Sequence, residues 1–174
     1  MLYRFRATLD YPGNALVLRR KGEPAAPSAD AIEVPVLMAD DHFLLADGRL
    51  NDGPTMLCFV DSGLAGGAFA CPRSTLAAHG ITRGSAEVVQ GHGGGGAMSA
   101  WPFDVAALSL GAARNEGLVG VAGVFPPQLE RAYGFRIGGL VSHGFLRDYA
   151  VTFDFERMVL VLEPTPAPLT PPST

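Results

Sequence analysis

One short stretch, residues 56–63, constrains the fold of this chain more than any other. Five apolar residues lead directly into an acid, a hydroxyl and a glycine, which is typical of a buried strand that ends in a tight turn. An ionisable side chain such as Asp61 is costly at the end of a buried strand unless another group pairs with it or the protein uses it. Ser62 brings a hydroxyl, and Gly63 lets the backbone turn closely. Asp61 is therefore either a turn acid satisfied by backbone N–H groups or a functional carboxylate.

The composition indicates a globular, mostly β protein with one core. The chain has 174 residues, of which 48% are hydrophobic and 17% charged, which excludes disorder as its dominant state. Its 22 glycines and 14 prolines favour a loop-rich β fold. The net charge of -4 argues against a nucleic-acid partner, which needs a clustered basic face. No stretch is long and apolar enough to span a membrane.

The cysteines and histidines do not predict a metal site, a cofactor or a nucleophilic hydrolase. Neither Cys-x-x-Cys nor His-x-x-x-His occurs, and no histidine lies at a telling spacing from a nucleophile. Cys58 and Cys71 flank the Asp61 loop, either as a bridge across a hairpin or as two buried thiols. His143 is expected to be an exposed residue of a helical turn.

Local patterns predict many short strands and few helices. Prolines at the start and glycines at the end predict short helices over 72–80 and 126–134, and a helical turn is expected over 143–149. Pro35 suggests an edge strand, and the polar segment 47–54 is expected to be a loop. The small-residue run 64–71 is predicted to be a loop followed by a strand. The other predicted strands cover residues 3–9, 15–18, 32–38, 42–45, 56–60, 87–89, 99–105, 118–124, 137–142, 150–155 and 158–162.

A glycine-rich run over residues 90–97 lies between two predicted strands. A phosphate-binding loop needs a helix directly after it, and here a strand follows, so that function is not predicted. The run is then either a flexible hairpin tip or a hairpin that closes over a substrate groove.

The chain divides into four predicted segments. Residues 1–21 form a hairpin, residues 22–31 a linker, residues 32–163 the main domain, and residues 164–174 a disordered tail rich in proline and threonine.

The order of these segments resembles that of the retropepsin-like aspartic peptidases, above all their bacterial members. The Asp-Ser-Gly loop at 61–63, a short helix, the glycine-tipped hairpin and the ending over 139–154 follow one another as in that family. The resemblance covers about residues 32–163. It departs at Ser142, where the family usually has glycine, and at Gly144, where it often has aspartate.

The resemblance implies an all-β fold with two or three short helices, namely one barrel lobe of the acid-protease type. It implies an aspartic endopeptidase that acts on peptide or protein substrates through an activated water, without metal or cofactor. Asp61 would be the catalytic carboxylate, supported by Ser62 and Gly63. A non-catalytic peptide-binding or assembly module with the same fold is the alternative. The hairpin would be the substrate-binding flap, with Gln90, Gly91, His92, Gly93 and Gly94.

The two ends of the chain match each other. Residues 5–18 align with residues 149–162 without gaps, either because the two hairpins share a pattern by chance or because they are duplicates. If they are duplicates, residues 1–20 are the last hairpin of an earlier, similar lobe. The identical pairs are Thr8 and Thr152, Asp10 and Asp154, Leu16 and Leu160, Val17 and Val161, and Leu18 and Leu162.

An aspartic peptidase needs two carboxylates about 3 Å apart that share one proton. This chain supplies Asp61, whereas Asp47 and Asp52 precede glycine in polar turn contexts. We therefore expect a homodimer or a preceding homologous lobe to supply the second carboxylate. The location of the protein stays unassigned. No targeting segment is recognised, and a periplasmic or secreted location stays open if an upstream half carries a signal peptide.

Overall fold

Most of the chain is β-strand, as the sequence predicts. The computed structural model describes residues 4–23, 27–40, 42–64, 66–93, 96–126 and 128–164. Most of the predicted tail, part of the predicted linker (24–26) and the flap residue Gly94 lie outside these ranges. The strands are β1 (Phe5–Asp10), β2 (Ala15–Arg20), β3 (Ile32–Pro35), β4 (Leu37–Ala39), β5 (Phe43–Leu50), β6 (Met56–Val60), β7 (Phe69–Ala70), β8 (Val89–Gly93), β9 (Gly96–Leu110), β10 (Ala113–Ala122), β11 (Gly139–Val141), β12 (Tyr149–Asp154) and β13 (Val159–Pro164).

Three short helices join the strands at the predicted places. Pro72 stands at the N-cap of the first, and Gly80 and Gly134 follow the first two in the left-handed conformation that ends a helix. No helix in the described ranges is long and apolar enough to cross a bilayer. The helices are α1 (Arg73–Ala78), α2 (Gln128–Tyr133) and α3 (His143–Leu146).

Eight strands form the larger sheet, in the order β4-β5-β6-β11-β7-β10-β9-β8. β5 also pairs with β9, with Leu50 opposite Leu108, so six strands close into a barrel. Leu50, Leu108 and Leu110 are completely buried. The barrel therefore carries its own apolar interior, which holds β6 and the loop that follows it in place.

The smaller sheet has the order β2-β1-β12-β13-β3 and packs against the barrel. Val151, Leu160 and Leu162 of this sheet belong to the same core cluster as Leu50 and Leu108 of the barrel. The first hairpin, β1–β2, is attached through β1, which pairs with β12 of the closing hairpin β12–β13.

Several predicted strand boundaries were wrong, and two of these errors affect how the sheets are built. The single strand expected over 32–38 divides at Val36, and its halves enter different sheets as edge strands β3 and β4. The loop expected over 47–54 starts later, because β5 continues to Leu50 before it turns at Asn51 and Asp52. β5 continues because its buried residues pair with β6 and β9, which outweighs the polar character of Asp47 and its neighbours.

Candidate active site

The Asp61 loop lies at the end of β6, beside the end of the parallel strand β11. The two strands pair in register, with Cys58 opposite Gly139 and Val60 opposite Val141. The Asp61 N–H then donates to the Val141 carbonyl at 2.9 Å. The pairing therefore holds the loop after β6 against the turn that leads from β11 into α3.

Gly63 holds the Asp61 carboxylate within its own loop. The Gly63 N–H donates to Asp61 Oδ1 at 2.7 Å. A Cβ at Gly63 would lie 3.1 Å from the same oxygen, so a side chain there would crowd the carboxylate. Asp61 is half-buried, and no second carboxylate is hydrogen-bonded to it in the described part of the chain. The geometry suits both interpretations of Asp61, the turn acid and the functional group.

The Ser142 hydroxyl connects the two ends of the Asp61 loop, at Asp61 and at Leu64. The Ser142 side chain is completely buried, and Oγ donates to the Asp61 carbonyl at 2.5 Å. The same oxygen accepts a hydrogen bond from the Leu64 N–H at 3.2 Å. Sequence reasoning treated Ser142 only as a departure from the expected glycine, whereas its hydroxyl satisfies two half-buried backbone groups of the loop.

Gly144 lies where the turn after β11 passes close to the backbone of residues 67–68. Its N–H donates to the Gly67 carbonyl at 3.0 Å. A Cβ here would lie 2.7 Å from Ala68 N and 2.8 Å from the Gly67 carbonyl carbon, and backbone cannot move aside easily. The aspartate that the resemblance leads one to expect at this position would clash with the backbone of residues 67–68.

Tyr11, in the turn of the first hairpin, also contacts the Asp61 loop. Its hydroxyl is hydrogen-bonded to Ser62. Burial raises the pKa of this hydroxyl, the bond to Ser62 opposes the rise, and the Asp61 charge adds to it. His143 packs edge-on against Tyr11 with ring centres 5.1 Å apart, so it is half-buried and not exposed as expected. Sequence analysis missed Tyr11, although its match to the aromatic Phe155 in the internal repeat was an available signal.

The predicted flap is a two-stranded hairpin of β8 and β9. Gln90 pairs with Ser99, whose hydroxyl donates to Gln90 Oε1 at 2.9 Å, and Gly91 lies opposite Met98. His92 and Gly93 continue β8. The structure brings Asp61, Ser62 and Gly63 together, but none of the contacts described for Gln90 or Gly91 reaches them.

A cleft of about 1060 Å³ opens at the base of this hairpin. Leu76 of α1, Trp101 of β9 and Phe125 contribute apolar side chains to its lining, and Arg73 and Arg83 contribute charged ones. Asp61 is not among the lining residues, so the cleft is a neighbour of the flap and not a pocket around the candidate carboxylate.

The cysteines are two free thiols, not a bridge, and both are buried. Burial raises the pKa of Cys58 to about 12, with a smaller contribution from Cys71, and burial likewise raises the pKa of Cys71 to about 12. Neither is a nucleophile near neutral pH, because the reactive species is the thiolate. Within the described ranges no group of three or more His, Cys, Asp or Glu residues could hold a metal ion.

Comparison with known proteins supports the fold. No protein-family model matches the chain, and no curated protein matches it in sequence. A solved structure, the crystal structure of a retropepsin-like aspartic protease from Rickettsia conorii, is similar to it with a TM-score of 0.54 and 12% sequence identity. The match covers 78% of this chain and 100% of that one. The chain therefore has the all-β barrel fold of a retropepsin-like protease lobe, as the sequence predicts.

Proposed function

We propose that the chain is the catalytic lobe of an aspartic endopeptidase, in which Asp61 is one of two carboxylates that activate a water molecule. The observation that carries the proposal is the placement of Asp61. Its carboxylate extends from the end of a buried barrel strand, and Gly63 bonds only one of its oxygens. The other oxygen, Oδ2, makes no hydrogen bond with the described residues, so it is free to bind a water.

The chemistry requires a second carboxylate close to the first. Two carboxyl groups that share one proton cannot both ionise, so one is a base and the other an acid. The ionised group takes a proton from the water, whose oxygen attacks the scissile carbonyl carbon. The protonated group donates its proton to the carbonyl oxygen. The tetrahedral intermediate then collapses as its C–N bond breaks. The group that took the proton from the water gives it to the leaving amine, and the other group takes a proton back from the gem-diol, which becomes the new carboxylic acid. Both carboxyl groups thereby return to their starting states. These reaction steps require no metal ion or cofactor.

Other residues of the chain would position this group and its substrate. Ser142 fixes the loop backbone through its two hydrogen bonds, and Ser62 links the loop to Tyr11. Gln90, Gly91, His92, Gly93 and Gly94 would cover an extended peptide, because the hairpin offers backbone groups for strand pairing with a substrate. The second carboxylate would come from another lobe or another copy of the chain.

Cleavage of a mixed peptide library between about pH 3 and pH 7, the range in which a carboxylate pair works, tests the proposal. Wild type is compared with Asp61→Asn, and Asp47→Asn is the matched control because Asp47 is exposed on β5 and makes no side-chain bond in the described chain. The assay is run on the 174-residue chain and on the complete product of its gene. Cleavage that only Asp61→Asn abolishes supports the peptidase. If both wild-type forms bind peptides without cleaving them, the protein is a binding module instead.

A further inference from the structure

The two hairpins of the smaller sheet are structural duplicates. β1 and β2 pair with Thr8 opposite Val17, and β12 and β13 pair with Thr152 opposite Val161, which is the same register. The turns also agree, because Asn14 and Met158 occupy equivalent positions and both have positive φ, 50° and 53°. A positive φ is rare for methionine, so the agreement extends beyond the loose pattern that any two hairpins share.

A local two-fold axis relates the duplicates. β1 and β12 are antiparallel, and the equivalent residues Thr8 and Thr152 lie directly opposite each other. Their hydroxyl oxygens are 2.7 Å apart, and both side chains are buried. An antiparallel pair in which a residue faces its own duplicate has a two-fold axis through that pair.

The surroundings of the duplicates differ sharply. On β13, Leu160 and Leu162 are completely buried, and they pair with residues of β3 that belong to the main domain. On β2, the identical residues Leu16 and Leu18 are 55% and 46% exposed. β2 is also an edge of its sheet in the described chain. The first hairpin therefore carries the same leucines as the closing hairpin, but in the described part of the chain no further strand pairs with β2 and these leucines stay exposed.

A second copy of the chain does not fit around this axis. Both edges of β12 are occupied, one by β13 and the other by β1. The closing hairpin of a second copy would have to pair where β1 already lies. While β1–β2 stays in the sheet, it blocks a symmetric homodimer built on β12.

We propose that the exposed face and free edge of β2 receive a second barrel lobe of the same fold, which precedes β1 in the complete polypeptide and uses β1–β2 as its closing hairpin. The order of elements along the chain places the second lobe before β1, because the duplicate hairpin β12–β13 follows directly after its own barrel. A strand equivalent to β3 would pair with β2, opposite Leu16 and Leu18. The inference deepens the proposed function and rests on it for one point, namely that this lobe brings the second carboxylate.

Hydrogen exchange and intact mass test the proposal. The complete product of the gene is expected to exceed 18.2 kDa, the mass of the 174 residues, and to protect the backbone amides of β2. In the 174-residue chain these amides should exchange at least about tenfold faster, because β2 is then an open edge. A complete product of 18.2 kDa, or equal exchange of β2 in both forms, overturns the proposal.

Paired variants locate the surface. Leu16→Glu combined with Leu18→Glu should lower the melting temperature of the complete product but leave that of the 174-residue chain almost unchanged. Leu37→Glu is the matched control, because Leu37 is 65% exposed on the edge strand β4, away from the axis. An equal effect of the double variant and the control on the complete product contradicts the proposal.

The same experiments separate this inference from the peptidase. Protection of β2 does not depend on catalysis, so the variant Asp61→Asn should show it unchanged. Protected β2 without any cleavage would leave the lobe proposal standing and refute the peptidase. Cleavage by a dimer of the 174-residue chain would support the peptidase and refute the lobe.

Discussion

The ends of β6 and β11 lie side by side, but the segment after β6 is exposed to solvent and the segment after β11 starts in the protein interior. Each strand leads into a polar tripeptide that ends in glycine, Asp61 to Gly63 after β6 and Ser142 to Gly144 after β11. After β6 the tripeptide turns toward solvent, with Ser62 exposed and Asp61 half-buried. After β11 it turns inward, and Ser142 is completely buried. One strand end presents a carboxylate, and the other supplies the hydroxyl that holds the first in shape.

The difference shows that two similar sequences can use glycine for different reasons. Gly63 leaves room for a side-chain oxygen of Asp61, 3.1 Å from where a Cβ would be. Gly144 leaves room for the backbone of residues 67–68, at 2.7 to 2.9 Å. Side chains can adjust and crossing backbones cannot, so the inner turn should tolerate substitution less than the outer loop.

Gly144→Ala should have the largest effect on stability. The added methyl meets backbone atoms of Gly67 and Ala68, and such overpacking should lower the free energy of unfolding by about 3 kcal/mol. Urea denaturation measures the change. Gly91→Ala is the matched control, because a Cβ there meets only Met98 Cγ at 4.0 Å. Equal stability of the two variants would show that the crossing at Gly144 is looser than described.

Ser142→Ala should have the next largest effect. It leaves the half-buried Asp61 carbonyl and Leu64 N–H without their Ser142 partner, which should cost about 2 kcal/mol. Ser99→Ala removes an exposed hydroxyl that bonds Gln90 and should change stability by less than about 0.5 kcal/mol. In an active preparation, Ser142→Ala should also lower kcat more than it raises KM, because it disorders the loop that carries Asp61. A change in stability with unchanged kinetics would limit Ser142 to a structural role.

The sequence was sufficient for the parts of this comparison that depend on local pattern. The apolar run of β6 and the glycine after Asp61 predicted a strand-end loop, and the prolines and glycines around α1 and α2 predicted both helices. The role of Ser142 depends on β11 lying parallel to β6, a pairing between residues about 80 positions apart in sequence. Nothing near Ser142 in the sequence specifies that pairing. The contact of Tyr11 with Ser62 likewise depends on how β1 joins β12.

Tyr11→Phe should have a smaller effect, confined to the outer loop. The substitution removes the hydroxyl bonded to Ser62 but keeps the ring against His143, so stability should fall by about 1 kcal/mol. Phe155→Leu is the comparison on the duplicate hairpin, since Phe155 holds the position equivalent to Tyr11 and carries no hydroxyl. Thermal unfolding measures both. If Tyr11→Phe cost as much as Ser142→Ala, the outer loop would be as strongly held as the inner turn, and the contrast between them would disappear.

Asp61→Asn should have the smallest effect on stability and the most informative one. Asparagine keeps an oxygen that can accept the Gly63 N–H, and the site is partly exposed, so the free energy of unfolding should change by less than about 0.5 kcal/mol. The cleavage assay then separates the two interpretations of Asp61. If Asp61 is a turn acid, Asp61→Asn leaves turnover unchanged, and if it is a catalytic carboxylate, the same variant abolishes turnover. A stability loss comparable to that of Ser142→Ala would assign Asp61 to the framework. An unchanged unfolding curve together with abolished cleavage would assign a catalytic role to Asp61 at the end of β6. The role of Ser142 at the end of β11 would then be to hold the loop in place.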